Sequence, residues 1–600
     1  MDYKDNYKPL GAITTVDESD DRYIAHINEE FEVGDGDRIR LNVFLPRSGG
    51  PKFPVLMTAT PYGKDVYVVL VSLTSFAADL PETMKSNHLS WEAPAPSWWC
   101  PHGYAVVIMD HRGSGASSGA SRPFSTQNWD DYAKAIEWAA DQPWSIGKIG
   151  LTGISYLALN QWPTAARQPR GLACMVPWEG LGDYYREGGR HGGIYHSFMD
   201  VWYLRQIMRN HYGNRNRSNG NWGPTSPEGK LGDSELEELH QRFPKFLLEN
   251  EWIDDEWYKD HMVGENYSSI QVPLLSAGNW GGIGLHLRGN VLGYMRASSQ
   301  YKFLRIHTGR HDLPYYFEPY ITYQKSFLDC FLKGDDYDGW KTGKQAPVAF
   351  AVRRGTQSPG SMQGELEFKF RDEKEWPLAR TNYEKHYLTA NKMLSKEKPS
   401  HQRKSITDTR IDTFTNFRCS GEGIQFITPV AEEEYEVTGH GHVRLAVSLT
   451  DHKGESEPDL DVYVALRKIN AQGNESSYSS SLGSPTPVVF GWLRASHRTI
   501  DPNPYPDSFH LPVPVPSHKR SDKKEVRNGE VYDLQIELWP TNVVVEKGEH
   551  LVLEISPKDP AGVDLFVCHD LIDRDERKLC GMNNIHIGKD YESYVVLPIV

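Results

Sequence analysis

A serine hydroxyl is a weak nucleophile until a turn exposes it and a base takes its proton. One serine in this chain is placed for both. Lys148-Ile149-Gly150-Leu151-Thr152-Gly153-Ile154-Ser155-Tyr156 reads as a short apolar strand running into a Gly-X-Ser turn, with a helical segment after it. That is the layout of a nucleophile elbow, which holds the hydroxyl out on a strained strand-to-helix turn. Gly153, two before the serine, supplies the Cβ-free position that a sharp turn needs. The second glycine of Gly-X-Ser-X-Gly is absent, since Leu157 and Ala158 follow.

Acyl transfer also requires a base, a group that orients the base, and donors aimed at the developing oxyanion. The N–H of Tyr156, next after the nucleophile, is one donor by position. The loop Pro61-Tyr62-Gly63-Lys64 follows the apolar strand Val55 to Thr60, and the Tyr62 phenol can be the other donor. An ordinary turn aromatic is the plainer reading of Tyr62. In a fold with this elbow the chain order is nucleophile, acid, histidine. Of the 23 histidines, His311 is preferred as base, because it follows the apolar strand Phe303 to Thr308 in Thr308-Gly309-Arg310-His311-Asp312. His307 competes but falls within the strand.

The elements that must position these residues alternate in kind. Ile39 to Leu45 alternates apolar and polar residues, as a half-buried strand does. Val55 to Thr60 and Tyr104 to Met109 read as buried strands, and Trp129 to Gln142 as a helix with Tyr132, Ile136, Ala139 and Ala140 on one face. Strand, helix, strand of this size implies a parallel sheet. Gly171 to Pro177, Val272 to Ala277 and Phe303 to Thr308 continue it. The expected α/β domain covers residues 25–180 and 270–335. Residues 181–269, rich in aromatics such as Tyr184, Phe198 and Trp202, interrupt it as a mainly helical cap. A cap there closes over the carboxyl ends of the strands, where open α/β sheets bind ligands. From 345 to 600, many short alternating strands without helices between them predict an antiparallel jelly roll.

Composition narrows the partners. A net charge of −15 argues against nucleic acid and anionic membranes. The six cysteines are widely spaced, which gives no metal-ligand pattern, so neither metal nor cofactor is expected. No run has the length of a membrane span, and the charged start Met1-Asp2-Tyr3-Lys4-Asp5 lacks the apolar stretch of a signal peptide. The expectation is a cytoplasmic protein acting on a small-molecule acyl substrate, with a homodimer among the assemblies open to it.

Taken together, Gly153-Ile154-Ser155-Tyr156, Pro61-Tyr62-Gly63-Lys64 and Asp110-His111-Arg112-Gly113-Ser114-Gly115-Ala116-Ser117-Ser118-Gly119 resemble the CocE/NonD (cocaine esterase-like) hydrolases, relatives of the X-prolyl dipeptidyl aminopeptidases. The resemblance continues through Phe327 to Gly334, Val352 to Gly355 and Gly491 to Arg498, nearly the whole chain. It implies an α/β-hydrolase domain, a helical cap and a C-terminal jelly roll. It also implies Ser155 as nucleophile, His311 as base, and the Tyr62 hydroxyl with the Tyr156 N–H as oxyanion donors.

One departure stands out. The family's acid usually lies in a Trp-X-Asp type loop after the next-to-last strand, and here Gly282 stands where aspartate is expected. No carboxylate occurs between Pro273 and Thr308. Glu179, just past the strand Gly171 to Pro177, is the candidate replacement; its plainer reading is a structural carboxylate at the base of the cap. Asp312 is adjacent to His311 and poorly placed to bond its ring, and Asp183 is a weaker third choice. If no acid reaches His311, the imidazole loses its orientation and the stabilisation of its cation.

The leading function is therefore a serine hydrolase cleaving an ester or amide through an acyl-enzyme. An X-prolyl dipeptidyl peptidase would need cap carboxylates for the substrate amine, and Glu187, Asp200 and Asp183 are available. A repurposed scaffold performing acyl transfer or cyclisation is a second alternative, and a non-catalytic binding protein a third.

Overall fold

The structure is a computed structural model. It describes residues 14–68, 78–215, 229–261, 266–359, 364, 366–399, 413–419, 421–505, 509–588 and 590–600. The opening Met1 to Asp5 lies outside them.

One 11-stranded mixed sheet carries the site. In chain order its first strands are β1 (Thr15–Asp17), β2 (Tyr23–Glu32), β3 (Arg38–Pro46), β4 (Phe53–Thr60), β5 (Ala105–Asp110), β6 (Ser145–Ile154) and β7 (Leu172–Trp178). A small hairpin, β8 (Arg190–His191) and β9 (Ile194–Tyr195), belongs to the insertion that follows. The sheet then resumes with β10 (Leu274–Asn279), β11 (Lys302–His307), β12 (Val348–Ala351) and β13 (Phe370–Glu373). Across the sheet the order is β1-β2-β3-β5-β4-β6-β7-β10-β11-β12-β13. From β5 to β12 all neighbours are parallel. Parallel strands are buried on both faces, which is why Phe53–Thr60 and Ala105–Asp110 are buried at every residue.

The helix Thr126–Asp141 buries Trp129, Tyr132, Ala135, Ile136 and Ala139. Its first turn is capped by the Ser125 hydroxyl, which accepts from the Asn128 N–H. This helix joins β5 to β6 and so delivers the strand that ends at the elbow.

Placing the domain boundary at 345 leaves β12 and β13 to the sandwich, whereas both belong to the large sheet. Val348–Ala351 is a fully buried run pairing in parallel with β11. The periodicity that marks the sandwich starts after it. Beyond β13 come antiparallel sheets of seven and five strands, dominated by the long pairing of Tyr435–Thr450 with Val531–Val545.

The insertion is less regular than a helical cap. It holds the helices Phe198–Trp202, Asp233–Leu239 and Phe243–Glu249, wide-turned helical segments at Tyr184–Gly189 and Tyr203–Ile207, and the β8–β9 hairpin. Among the described residues no helix is long and apolar enough to cross a membrane.

Candidate active site

The elbow forms as its sequence requires. Ser155 has φ +59° and ψ −120°, a left-handed strain that persists at a non-glycine residue only where the surroundings enforce it. The Ser155 N–H donates to the Trp178 carbonyl at 3.0 Å, and the Ile154 N–H to the Glu92 carbonyl at 3.1 Å. Gly153 lies at φ +143°, and a Cβ there would stand 2.7 Å from Leu157 Cβ and 2.8 Å from Thr58 Oγ1. Leu157, at the place of the missing second glycine, packs against the glycine that remains.

Glu179 follows β7 with φ +49°, which turns its fully buried side chain across the sheet end. Its Oε2 lies 2.8 Å from His311 Nδ1. Its Oε1 accepts from Asn279 Nδ2 at 3.1 Å, and His307 Nε2 stands 3.3 Å from the same oxygen. Asn279 also donates to the Gly309 carbonyl at 2.8 Å, and its Oδ1 accepts from the Gly281 N–H at 2.8 Å. The loop that lacks an acid thus holds the acid that reaches in from its neighbour. Gly282 is tightly placed, since a Cβ on it would lie 3.1 Å from the Asn279 carbonyl oxygen. The His311 N–H donates to the Ser481 carbonyl at 2.9 Å, so the C-terminal domain fixes the histidine loop.

Two further residues stand at this centre, and sequence reasoning singled out neither. His286 Nε2 is 3.2 Å from Ser155 Oγ, and its ring stacks on His311 with centroids 4.2 Å apart and planes 11° apart. Glu92, 1% exposed and at φ +62°, brings Oε1 to 3.4 Å from His311 Nε2, while its Oε2 has no hydrogen-bond partner among the described residues. Burial raises Glu92 to about 7 against the pull of His311. Burial opposes charge on His311, but Glu179 and Glu92 overcome it and raise the imidazole to about 10. Burial, with the His311 charge adding to it, holds His286 well below the ordinary histidine value. His307, behind Glu179 and stacked on Trp178, is pushed by burial to about 3.

Tyr62 is buried beside Ser155, and its hydroxyl accepts from Trp202 Nε1 at 3.2 Å. Burial, with Glu92 nearby, raises the Tyr62 phenol well above its ordinary value, so it keeps its proton for donation. The Tyr156 N–H opens a short helix and has no intrahelical acceptor. These groups face a cavity of about 500 Å³, within the usual range for small-molecule sites. The insertion contributes Phe198, Met199 and Trp202 to its wall, and the C-terminal domain contributes Leu482 and Phe566. Arg205 and Arg209 also line it, and neither guanidinium has an acidic partner among the described residues.

The donor atoms of Glu179, His286 and His311 all lie within 4.8 Å of one another, a spacing a cation could use. Near-parallel stacked rings, however, cannot turn both in-plane lone pairs onto one ion. The arrangement fits proton transfer better than ligation.

Residues 35–312 match the X-Pro dipeptidyl-peptidase (S15) family, and residues 340–596 match the X-Pro dipeptidyl-peptidase C-terminal non-catalytic domain. A solved CocE/NonD family hydrolase from Staphylococcus aureus is 29% identical with a TM-score of 0.79, covering 96% of this chain and 94% of its own. The chain belongs to the CocE/NonD, X-Pro dipeptidyl-peptidase-related hydrolases. The cocaine esterase of Rhodococcus sp. (strain MB1 Bresler) is 31% identical over 173 residues, 28% of this chain and 25% of that enzyme's length. An α-amino acid ester hydrolase shares the fold at 15% identity and a TM-score of 0.66, over 99% of this chain and 98% of its own.

This CocE/NonD hydrolase is an enzyme of the serine hydrolase type, with an α/β-hydrolase sheet followed by a β-rich C-terminal domain. Its cap carboxylates are engaged elsewhere. Glu187 pairs with Arg288 at 3.0 Å, Asp183 with Arg186 at 2.8 Å, and Asp200 accepts from the Tyr195 hydroxyl at 2.9 Å. None of the three lines the cavity; the carboxylates that do are Glu92 and Asp312. Burial raises Asp312 above its ordinary value, and nothing brings its carboxylate onto the His311 ring nitrogens.

Proposed function

We propose that this enzyme cleaves an ester or amide of a small acyl substrate through an acyl-Ser155 intermediate. Ser155 is the nucleophile, His311 oriented by Glu179 is the charge-bearing imidazole, and the Tyr62 hydroxyl with the Tyr156 N–H receives the oxyanion. The reading is carried by one observation: Glu179 Oε2 lies 2.8 Å from His311 Nδ1 at the floor of the cavity that exposes Ser155. A carboxylate on Nδ1 fixes the ring and stabilises its cation, which is the task of a triad acid.

Arg205 and Arg209, which line the cavity without an acidic partner among the described residues, support a substrate with an anionic group at the end remote from the scissile bond. An X-prolyl peptidase reading would need Glu92 or Asp312 to hold the amine, since the cap acids are committed to other partners. A cytoplasmic location is supported by six cysteines that are all free thiols.

A fluorophosphonate probe with peptide mapping tests the assignment. Labelling is expected at Ser155 and absent in Ser155→Ala. Labelling of another residue, or none, would overturn it.

A further inference from the structure

In a simple triad, the imidazole that pairs with the acid also accepts the serine proton. Here those contacts fall on two rings. His311 presents Nδ1 to Glu179 at 2.8 Å and Nε2 to Glu92 at 3.4 Å, while Ser155 Oγ meets Nε2 of His286 at 3.2 Å. We propose that the two stacked histidines divide the proton transfers, His286 taking the proton of Ser155 and His311 giving one to the leaving group. This rests on the acyl-Ser155 reading.

The direction of the hydrogen bonds supports the first half. Trp202 Nε1 can only donate, and it donates to the Tyr62 oxygen. The Tyr62 proton is thereby turned away from Trp202, towards the side of the ring where Ser155 lies. Ser155 Oγ has His286 Nε2 within hydrogen-bond distance, and its own proton is directed there. In this tautomer the His286 proton sits on Nδ1, a buried atom with no partner among the described residues. The second half follows from charge. A base must start unprotonated and an acid protonated. His286 has Phe566 against its ring, and burial, the His311 cation and His196 all oppose a charge on it; Glu179, whose carboxylate also lies within 4.8 Å, is bonded to His311 Nδ1. His311 is faced by Glu179, Glu92 and Asp312, all of which favour its proton.

The protons balance. In acylation Ser155 Oγ bonds the acyl carbon, its proton passes to His286, and the bond to the leaving group breaks as that group takes a proton from His311. In deacylation water bonds the acyl carbon and gives a proton to His311, while His286 returns its proton to Ser155. The stack holds one extra proton in the free enzyme and in the acyl-enzyme, and two while a tetrahedral oxyanion stands beside it, where Glu179 and Glu92 offset the charge. Glu92 acts through His311 and is a positioning residue.

The test is a series of acetyl esters whose alcohols run from 4-nitrophenol through trifluoroethanol to ethanol, with pre-steady-state acylation rates. His311→Asn should steepen the dependence of rate on leaving-group basicity, because poor leaving groups need the acid most. His286→Asn and His286→Gln should lower every member by a similar factor, about 10²–10⁴, with the slope unchanged. The division is overturned if His286 variants acylate within about tenfold of the unaltered enzyme, or if His311→Asn lowers all members equally with no change in slope. Should these variants fail to fold, the unaltered enzyme still decides. Ethyl acetate acylation should fall as pH rises through about 10, where His311 loses its proton; a rise there would make His311 the base. If the unaltered enzyme acylates no ester at Ser155, the serine-hydrolase reading itself fails instead.

Discussion

Glu179 and His311 meet at 2.8 Å although strand β10 lies between the strands that carry them. The acid has crossed the strand whose own loop has none. Glutamate is one methylene longer than aspartate, and the left-handed backbone at Glu179 aims that extra reach along the strand ends.

Glu179→Gln keeps the size of the side chain and removes its charge. Acylation should fall by about 10⁴-fold, the loss seen when a serine protease triad loses its carboxylate charge. Stopped-flow acylation with an activated ester checks the rate, and thermal unfolding checks that the fold survives. A loss of less than tenfold would make Glu179 a structural carboxylate.

Tyr62→Phe removes one hydroxyl and keeps the ring against Trp91, whose centroid is 5.1 Å away. Turnover should fall by about 10²–10³-fold, as for loss of one oxyanion donor. Trp202→Phe removes the donor that orients the Tyr62 proton and trims the cavity wall while keeping an aromatic ring there, and steady-state kinetics should show a smaller loss.

The Ser155 elbow and Tyr62 were legible because local sequence carries them: a glycine that cannot bear a Cβ, and a strand ending in a turn. Glu179 was legible by elimination, since no carboxylate lies between Pro273 and Thr308. His286 and Glu92 were not. Each sits in a segment without periodicity or motif, and only the tertiary approach of β10, β11 and the Trp91-Glu92 loop brings them to one imidazole. The same limit hid β12 and β13, whose place depends on an open edge beside β11 that no local pattern reports.

Glu92→Gln removes one of the carboxylates that keep His311 protonated. The His311 value, raised to about 10 in the unaltered protein, should drop, moving the alkaline limb of the rate profile down by about 1–3 pH units. Imidazole NMR titration reads the same shift. Because a raised histidine value favours the folded state only while the ring is protonated, that stabilisation is complete below about pH 6.5. It is lost as pH rises through about 10 in the unaltered enzyme, and at lower pH in the variant.

Arg205→Gln with Arg209→Gln should raise KM for a substrate bearing a remote carboxylate by about 10–100-fold, the scale of one charge-assisted hydrogen bond. The neutral methyl ester of the same compound should be little affected. Equal losses for both would mean that the arginines are only wall.

The most direct measurement is rapid acid quench of the enzyme with 4-nitrophenyl acetate, followed by intact mass and peptide mapping. The expected result is a burst of nitrophenol matched by one acetyl group on Ser155, absent in Ser155→Ala. Steady hydrolysis with no burst and no adduct, or an acetyl group on another residue, would contradict the acyl-Ser155 pathway.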